Sequence, residues 1–423
     1  MSPRPKLLFL SPITPSTTGN GLAMRAGAFL EALAADFEVH LLIVPIGERQ
    51  PTIWPTNRPA DLPPSLAALC RAVRRVPLSL GATFYGRLSQ HPLLYPVLGR
   101  LRPLPTEWKA TSRATLRAAL QAFRPIRFDH IHVFRLYLYP FADGYARLEH
   151  NRRATLHLDL DELESATRER LAALRPAPPI ARRLRRDAAL YRSLEHSVLP
   201  ACDRVYVCSH ADAATLGKEL GADRVALLPN TVRLPPATPP RAASDPFTFL
   251  FVGNLNYLPN RDALLWFTDA VLPELRRAAS GAFRIRIVGA ARPRELRRLA
   301  DTPEYALAGF VTSVDAEYAD CDAVIAPLRA GGGTRIKVLE ALAWGRPVVS
   351  TTAGAAGLEL EHGAELLLAD DPLSFAAACA GLMTDPALRL ALAARGRDKV
   401  AACYSQEVLQ SRLRNLGIGQ NGP

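Results

Sequence analysis

Three consecutive glycines, Gly331, Gly332 and Gly333, are followed at once by Thr334, Arg335, Ile336 and Lys337, and shortly after by Glu340. Glycines adopt backbone conformations closed to other residues and let the chain approach a ligand closely. A helix opening behind them offers unpaired N–H groups and the positive end of its dipole to an anion. Arg335 and Lys337 add two cations able to hold phosphate oxygens whose charge grows as a leaving group departs. Glu340 lies three residues after Lys337 on the same helical face, where a carboxylate could accept two hydrogen bonds from a ribose diol. The bland alternative is a solvated Lys337/Glu340 pair worth about 0.2–0.5 kcal/mol. Against it, Ile336, Val338, Leu339, Ala341, Leu342 and Ala343 make the helix apolar on most sides, so charges near its start should face a cleft. Lys337 is also one of only five lysines among 52 basic residues, in a chain that otherwise uses arginine. The chemistry expected is that of a diphosphate site, with Arg335, Lys337 and Glu340 catalytic and Gly332, Gly333, Thr334 and Leu339 beside them.

Weaker signals lie upstream. The loop TTGNG at 17–21 follows an apolar run, and Gly19 and Gly21 could present N–H groups to phosphates. It fails as a dinucleotide fingerprint, because Met24 stands where the third glycine belongs and no acidic residue ends the next strand, so NAD is disfavoured. His132 and Arg135, in HVFR, stand at a strand end, though a single histidine there is as readily structural. His157, Asp159 and Asp161 alternate and should share one face. No further clustered ligands support a metal there, and one of the two aspartates touching a bound molecule is the better reading. The six cysteines show neither zinc-site spacing nor a dense disulfide framework, which points to a reducing cytosol.

These residues need a scaffold of parallel strands, at whose carboxyl ends ligands bind. An α/β grammar runs from the start: strand 7–10, helix 24–35, strand 39–44, helix 112–123, strands 128–133 and 154–160, a long arginine-rich helix to 199, a strand at 204–209 and a short one before Asn230. Residues 45–105, rich in Pro, Arg and Leu, read as short helices on one face. Residues 234–246 hold five prolines in thirteen positions and form the linker. The grammar then restarts with strand FTFLFVG, helix 261–278, strand FRIRIVGA, helix 292–300, a strand near Gly309, DAVIAPL, PVVST, ELLLAD and terminal helices. The expected domains are 1–233 and 247–402, with 403–423 a helix and tail that could return to the first.

The 423 residues are 48% hydrophobic and 22% charged, enough to bury cores in two or three domains and too balanced for disorder. No run of about eighteen apolar residues is present, and the N-terminus reads as a buried strand rather than a leader. The formal charge of +12 admits nucleic acid, an anionic membrane or phosphorylated substrates, but the preference for Arg reads as compositional drift and nucleic acid is disfavoured. RRLRR at 182–186 is read as a solvated helix face, with anionic lipid as its alternative.

Taken together, GGTRIKVLEALAWGRPVVST, AAGL, FVGNLNYLPNRDAL, AGFV, ADCDAVIAPL, VYVCS and LLPN resemble the family 4 glycosyltransferases, over most of the chain. The GTRIKVLE signature is closest to sugar transferases of exopolysaccharide assembly. The resemblance implies the GT-B fold, two facing doubly wound Rossmann-like domains, and metal-independent transfer of a sugar from a nucleotide-sugar to a hydroxyl with retention of configuration. It implies that the donor lies on the C-terminal domain and touches Asn254 and Phe310 as well as the glycine loop, and that Glu340 binds the ribose. It makes the acceptor a glycan, a lipid-linked molecule or a small molecule on the N-terminal domain, near His132, Arg135 and Asp159. Two departures stand out: Gly332 replaces the first Glu of the family's paired glutamates, and Asn254 and Asn260 replace its Arg and Lys after the strand glycine. Arg335 and Lys337 should then carry the cationic load. No cofactor is expected, and the setting is cytoplasmic, extending to the inner membrane face. The alternatives are a nucleotide-sugar epimerase of the same fold and a basic, non-catalytic binding protein.

Overall fold

The computed structural model describes residues 4–46, 61–78, 104–105, 107–108, 111–236, 244–291, 299–333 and 335–418. The chain divides into two compact units, one of residues 1–228 with 409–423 and one of residues 229–408. Each is a parallel sheet covered by helices, the two-domain α/β architecture expected.

In the first unit β1 (Lys6–Ser11), α1 (Gly21–Ala34), β2 (Glu38–Ile43), β3 (Cys70–Arg75), β4 (His130–Phe134), β5 (Thr155–Asp161), α2 (Glu164–Ala173), α3 (Pro178–Val198), β6 (Arg204–Val207) and β7 (Val225–Leu227) follow in chain order. The sheet order is β3-β2-β1-β4-β5-β6-β7. Strands such as KLLFLS are apolar almost without alternation because helices cover both sheet faces. One face packs Leu8, Leu10, Ile131 and Val133 with Tyr145 and Tyr191; the other packs Leu7, Phe9, Phe29 and Tyr206 with Leu409, Leu413 and Ile418 from the chain's end. The order reverses between β1 and β4, the switch point where an open parallel sheet leaves a crevice.

In the second unit β8 (Phe247–Val252), α4 (Leu258–Trp266), β9 (Phe283–Val288), β10 (Tyr305–Gly309), α5 (Asp315–Asp320), β11 (Ala323–Ala326), α6 (Ile336–Ala343), β12 (Val348–Ser350) and β13 (Leu367–Leu368) form the frame. Its sheet runs β10-β9-β8-β11-β12-β13, with the switch point between β8 and β11. The terminal α7 (Gln406–Asn415) carries the chain from this unit back into the first. Residues 229–236 belong to the second unit, where the Val232 N–H donates to the Tyr404 carbonyl at 3.0 Å. Among the described residues no single helix is long and apolar enough to cross a membrane.

Three elements differ from the sequence reading. Within 45–105, CRAVRR is a strand at the sheet edge, paired from Val39↔Cys70 to Ile43↔Arg75; its arginines blunt the exposed edge and mask the strand pattern. The remainder of that stretch lies mostly outside the described residues, as does most of 292–300. The arginine-rich helix is two helices, α2 and α3, broken where Arg175 takes φ 51° among prolines. The helix expected at 261–278 starts at Leu258 with Pro259 in its first turn, then widens into a π turn over Phe267–Val271 before Pro273. Pro273 lacks the N–H that would continue the ladder, so the chain changes register there.

Candidate functional site

The glycine-led segment leaves the carboxyl end of β11, and the turn Gly253–Asn254 leaves the neighbouring end of β8, so both stand at the switch point of the second sheet. Gly331 has φ 142° and Gly333 φ 65°. A Cβ on Gly331 would come within 2.8 Å of the Arg335 guanidinium, and the positive φ there would strain any other residue. Arg335 turns inward. It is buried, donating Nη1 to the Gly332 carbonyl at 2.5 Å and Nε and Nη2 to the Ala353 carbonyl at 3.4 Å each. The guanidinium thus ties the glycine loop to the turn after β12. Thr334 lies outside the described residues, and the helix begins at Ile336 rather than near Thr334, because Arg335 holds the non-helical N-cap conformation at φ −88°, ψ 86°. Among the described residues no side chain caps α6, and in its first turn the Val338 N–H donates to the Arg335 carbonyl at 2.9 Å.

Lys337 and Glu340 are half-buried on this helix, and no described ion pair joins them. Instead the Lys337 ammonium donates to Asn260 Oδ1 at 2.7 Å and stands 5.3 Å from the centre of the Phe251 ring. Burial, assisted by the Arg335 charge, lowers the Lys337 pKa to about 7. Glu340 Oε2 accepts from the Tyr318 hydroxyl at 3.0 Å. Burial pushes Glu340 up to about 7, with the Asp315 charge adding to the shift and Tyr318 and Lys337 opposing it. Burial therefore works against the charge on both groups, the condition in which a charged ligand most readily changes protonation.

Asn254 is half-buried and caps its own turn, accepting from the Asn256 N–H at 3.0 Å. Phe310 follows Gly309 at the carboxyl end of β10 and is 56% exposed, a large apolar side chain open to solvent. Leu339 is fully buried in the core beneath α6, so its side chain packs rather than lines the site. Tyr318 and the link from Asn260 to Lys337 were missed by sequence reasoning. The Tyr318 position carries no motif, and Asn260 read only as a lost cation.

The first unit separates its candidates. Gly19, at φ 91°, and Gly21, the first residue of α1, follow β1 at that sheet's switch point, and Asn20 caps the helix by accepting from the Leu22 N–H at 2.8 Å. His132 is buried in a stack with Phe9, Phe29 and Tyr206, and burial with the Arg25 charge pushes its pKa down to about 3. It is a neutral core residue. Asp159 is fully buried and holds Arg25 through Oδ1 at 2.7 Å and Oδ2 at 2.9 Å. Arg135, at φ 77°, reaches Asp161 at 3.1 Å, Glu162 at 3.2 Å and Glu164. The expected trio is thus divided: a ring in the core, a carboxylate committed to Arg25, and a guanidinium inside a carboxylate cluster. His157 meets the Tyr206 hydroxyl at 3.1 Å, so the alternating face of β5 is a set of structural contacts. Among the described residues no three His, Cys, Asp or Glu side chains gather as a metal site.

Residues 246–385, which contain all of these second-unit groups, match the family described as Glycosyl transferases group 1. No curated protein matches the chain in sequence. Among solved structures, Anabaena HepE in complex with UDP is similar at 15% identity and TM-score 0.62, over 97% of this chain and 98% of that one. Sucrose-phosphate synthase from Thermosynechococcus elongatus is similar at 14% identity and TM-score 0.61, over 98% of each chain. S. aureus TarM is similar at 11% identity and TM-score 0.63, over 99% of each chain. The fold is that of the GT-B glycosyltransferases, shared over nearly the full length.

Proposed function

We propose that this chain is a retaining glycosyltransferase, hexosyltransferase-like, that binds a nucleotide-sugar through its second unit and transfers the sugar to a hydroxyl. The observation that carries the reading is the placement of Lys337 and Glu340 on one face of α6, behind a glycine loop, within the segment matched to the group 1 glycosyltransferases. The Lys337 ammonium and the positive end of the α6 dipole would meet the donor diphosphate and hold it as it departs. Glu340, oriented by Tyr318, would accept from the ribose hydroxyls. Arg335 would act by shaping the loop, since its donors already face carbonyls. In a retaining transfer the leaving phosphate can itself take the acceptor proton, so the reading requires no dedicated base and no resident cofactor. The acceptor is a glycan, a lipid-linked molecule or a small molecule held by the first unit, in polysaccharide or glycoconjugate assembly in the cytoplasm. Where that acceptor is lipid-linked, exposed Arg182 and Arg185 of α3 offer contacts to an anionic membrane face.

The test is thermal stabilisation of the purified protein by UDP, GDP, ADP and their sugars, beside Glu340→Ala. HepE has been crystallised with UDP and with UDP-glucose, which makes the uridine compounds the first probes. We expect one nucleotide class to raise the melting temperature of the wild type and to lose most of that effect in the variant. Absence of any shift at millimolar nucleotide would count against the reading.

A further inference from the structure

Asn260 and Lys337 come from helices 77 positions apart and meet at the switch point of the second sheet. Asn260 is 8% exposed, so its amide must find partners inside the protein. Its Nδ2 donates to the Asn254 carbonyl at 3.0 Å while its Oδ1 accepts from the Lys337 ammonium at 2.7 Å. Only this orientation satisfies both neighbours, because a flipped amide would set donor against donor at Lys337 and acceptor against acceptor at Asn254. The turn after β8 is shaped for it: a Cβ at Gly253 would come within 2.8 Å of the Asn260 amide carbon. The Phe251 ring, its centre 5.3 Å away, also supports the ammonium. The ammonium is therefore held by two uncharged groups, and the charged groups acting on it are Arg335 and Glu340 of its own segment.

We propose that Asn260 is a positioning residue that holds the Lys337 ammonium at the turn after β8, at the place where a nucleotide diphosphate is met, without cancelling its charge. A carboxylate at position 260 would hold the ammonium as well but would neutralise it, and an apolar residue would release it from the turn. The neutral amide fixes direction and leaves the positive charge to the ligand. This inference rests on the nucleotide-sugar reading for the ligand; the contact itself does not.

The experiment follows the lysine side chains of the full-length protein by NMR after labelling the lysine side chains with 15N. With five lysines in the chain, the Lys337 signal is assigned by its loss in Lys337→Arg. Two variants are compared with wild type, the near-isosteric Asn260→Asp and the apolar Asn260→Leu. The expected result is a Lys337 titration midpoint raised by about one unit or more, a tenfold gain in proton affinity, in Asn260→Asp, and a midpoint lowered in Asn260→Leu. UDP affinity, measured by calorimetry at pH 7, should fall about tenfold in both, with the pH step in binding displaced to higher pH in Asn260→Asp. A residue serving only the fold would lower affinity without moving that step. Lys337 midpoints equal to wild type in both folded variants would overturn the proposal. Failure of the wild type to bind UDP, GDP or ADP would instead remove the nucleotide reading, and the lysine titration would still decide the role of Asn260.

Discussion

At the scale of single residues, the site places two ionisable groups where neither is comfortable. Glu340 is raised to about 7, so the folded protein holds that proton more tightly than the unfolded chain does. Its burden is absent below the ordinary carboxylate value of 4.5, grows as pH rises, and is complete above 7. Lys337 is lowered to about 7, and its burden is complete below that pH and lifts as pH climbs toward 10.5. The two overlap around neutrality, where the unliganded protein carries both. Glu340→Gln keeps an acceptor for Tyr318 while removing the charge. It should raise the melting temperature of the unliganded protein at pH 8 by on the order of 2 °C and leave it unchanged at pH 4. Differential scanning calorimetry at the two pH values checks this, and a variant no more stable than wild type at pH 8 contradicts it. Such a gain would mark Glu340 as kept for binding rather than for folding.

At the scale of elements, Arg335 ties the glycine loop to the turn after β12. Arg335 bridges the carbonyls of Gly332 and Ala353, so Arg335→Met should leave buried acceptors unpaired and destabilise the protein by about 1–3 kcal/mol. Arg335→Lys should not restore it, because a point-like ammonium cannot reproduce a planar fork reaching two carbonyls. Urea unfolding of the three proteins decides, and full rescue by Lys would reduce the role of Arg335 to its charge. This tie was not legible in the sequence, where Arg335 reads as one more phosphate cation. The glycines, the helix behind them and the parallel strands were legible, because their signals are local: apolar runs, periodicity and breakers. β3 was missed because an edge strand carries arginines, and the π turn because one proline's effect depends on where the helix has already begun. Contacts between distant positions left no local trace, which is why Asp159 read as an acceptor contact although Arg25, 134 positions away, holds it.

At the scale of the whole molecule, the segment 409–423 belongs to the first unit although it is the last part of the chain. Leu409, Leu413 and Ile418 are buried with Phe9, Phe29 and Tyr206, and Arg414 reaches Asp36 at 3.1 Å. Each Leu→Ala change there should cost about 2–5 kcal/mol. A chain ending after residue 405 should therefore show an earlier melting transition, detected by near-ultraviolet circular dichroism; an unchanged transition would mean that these contacts add nothing to stability. During synthesis the same arrangement imposes an order of events. The ribosome completes the strands of the first unit early, then must make residues 229–408 before the closing helix emerges. At ~5–20 residues per second that interval is on the order of ten to forty seconds, during which the apolar groove awaiting Leu409 and Leu413 stays uncovered. A nascent chain of this protein should thus present a binding patch for chaperones over that window, and release it only once residues 409–418 have emerged.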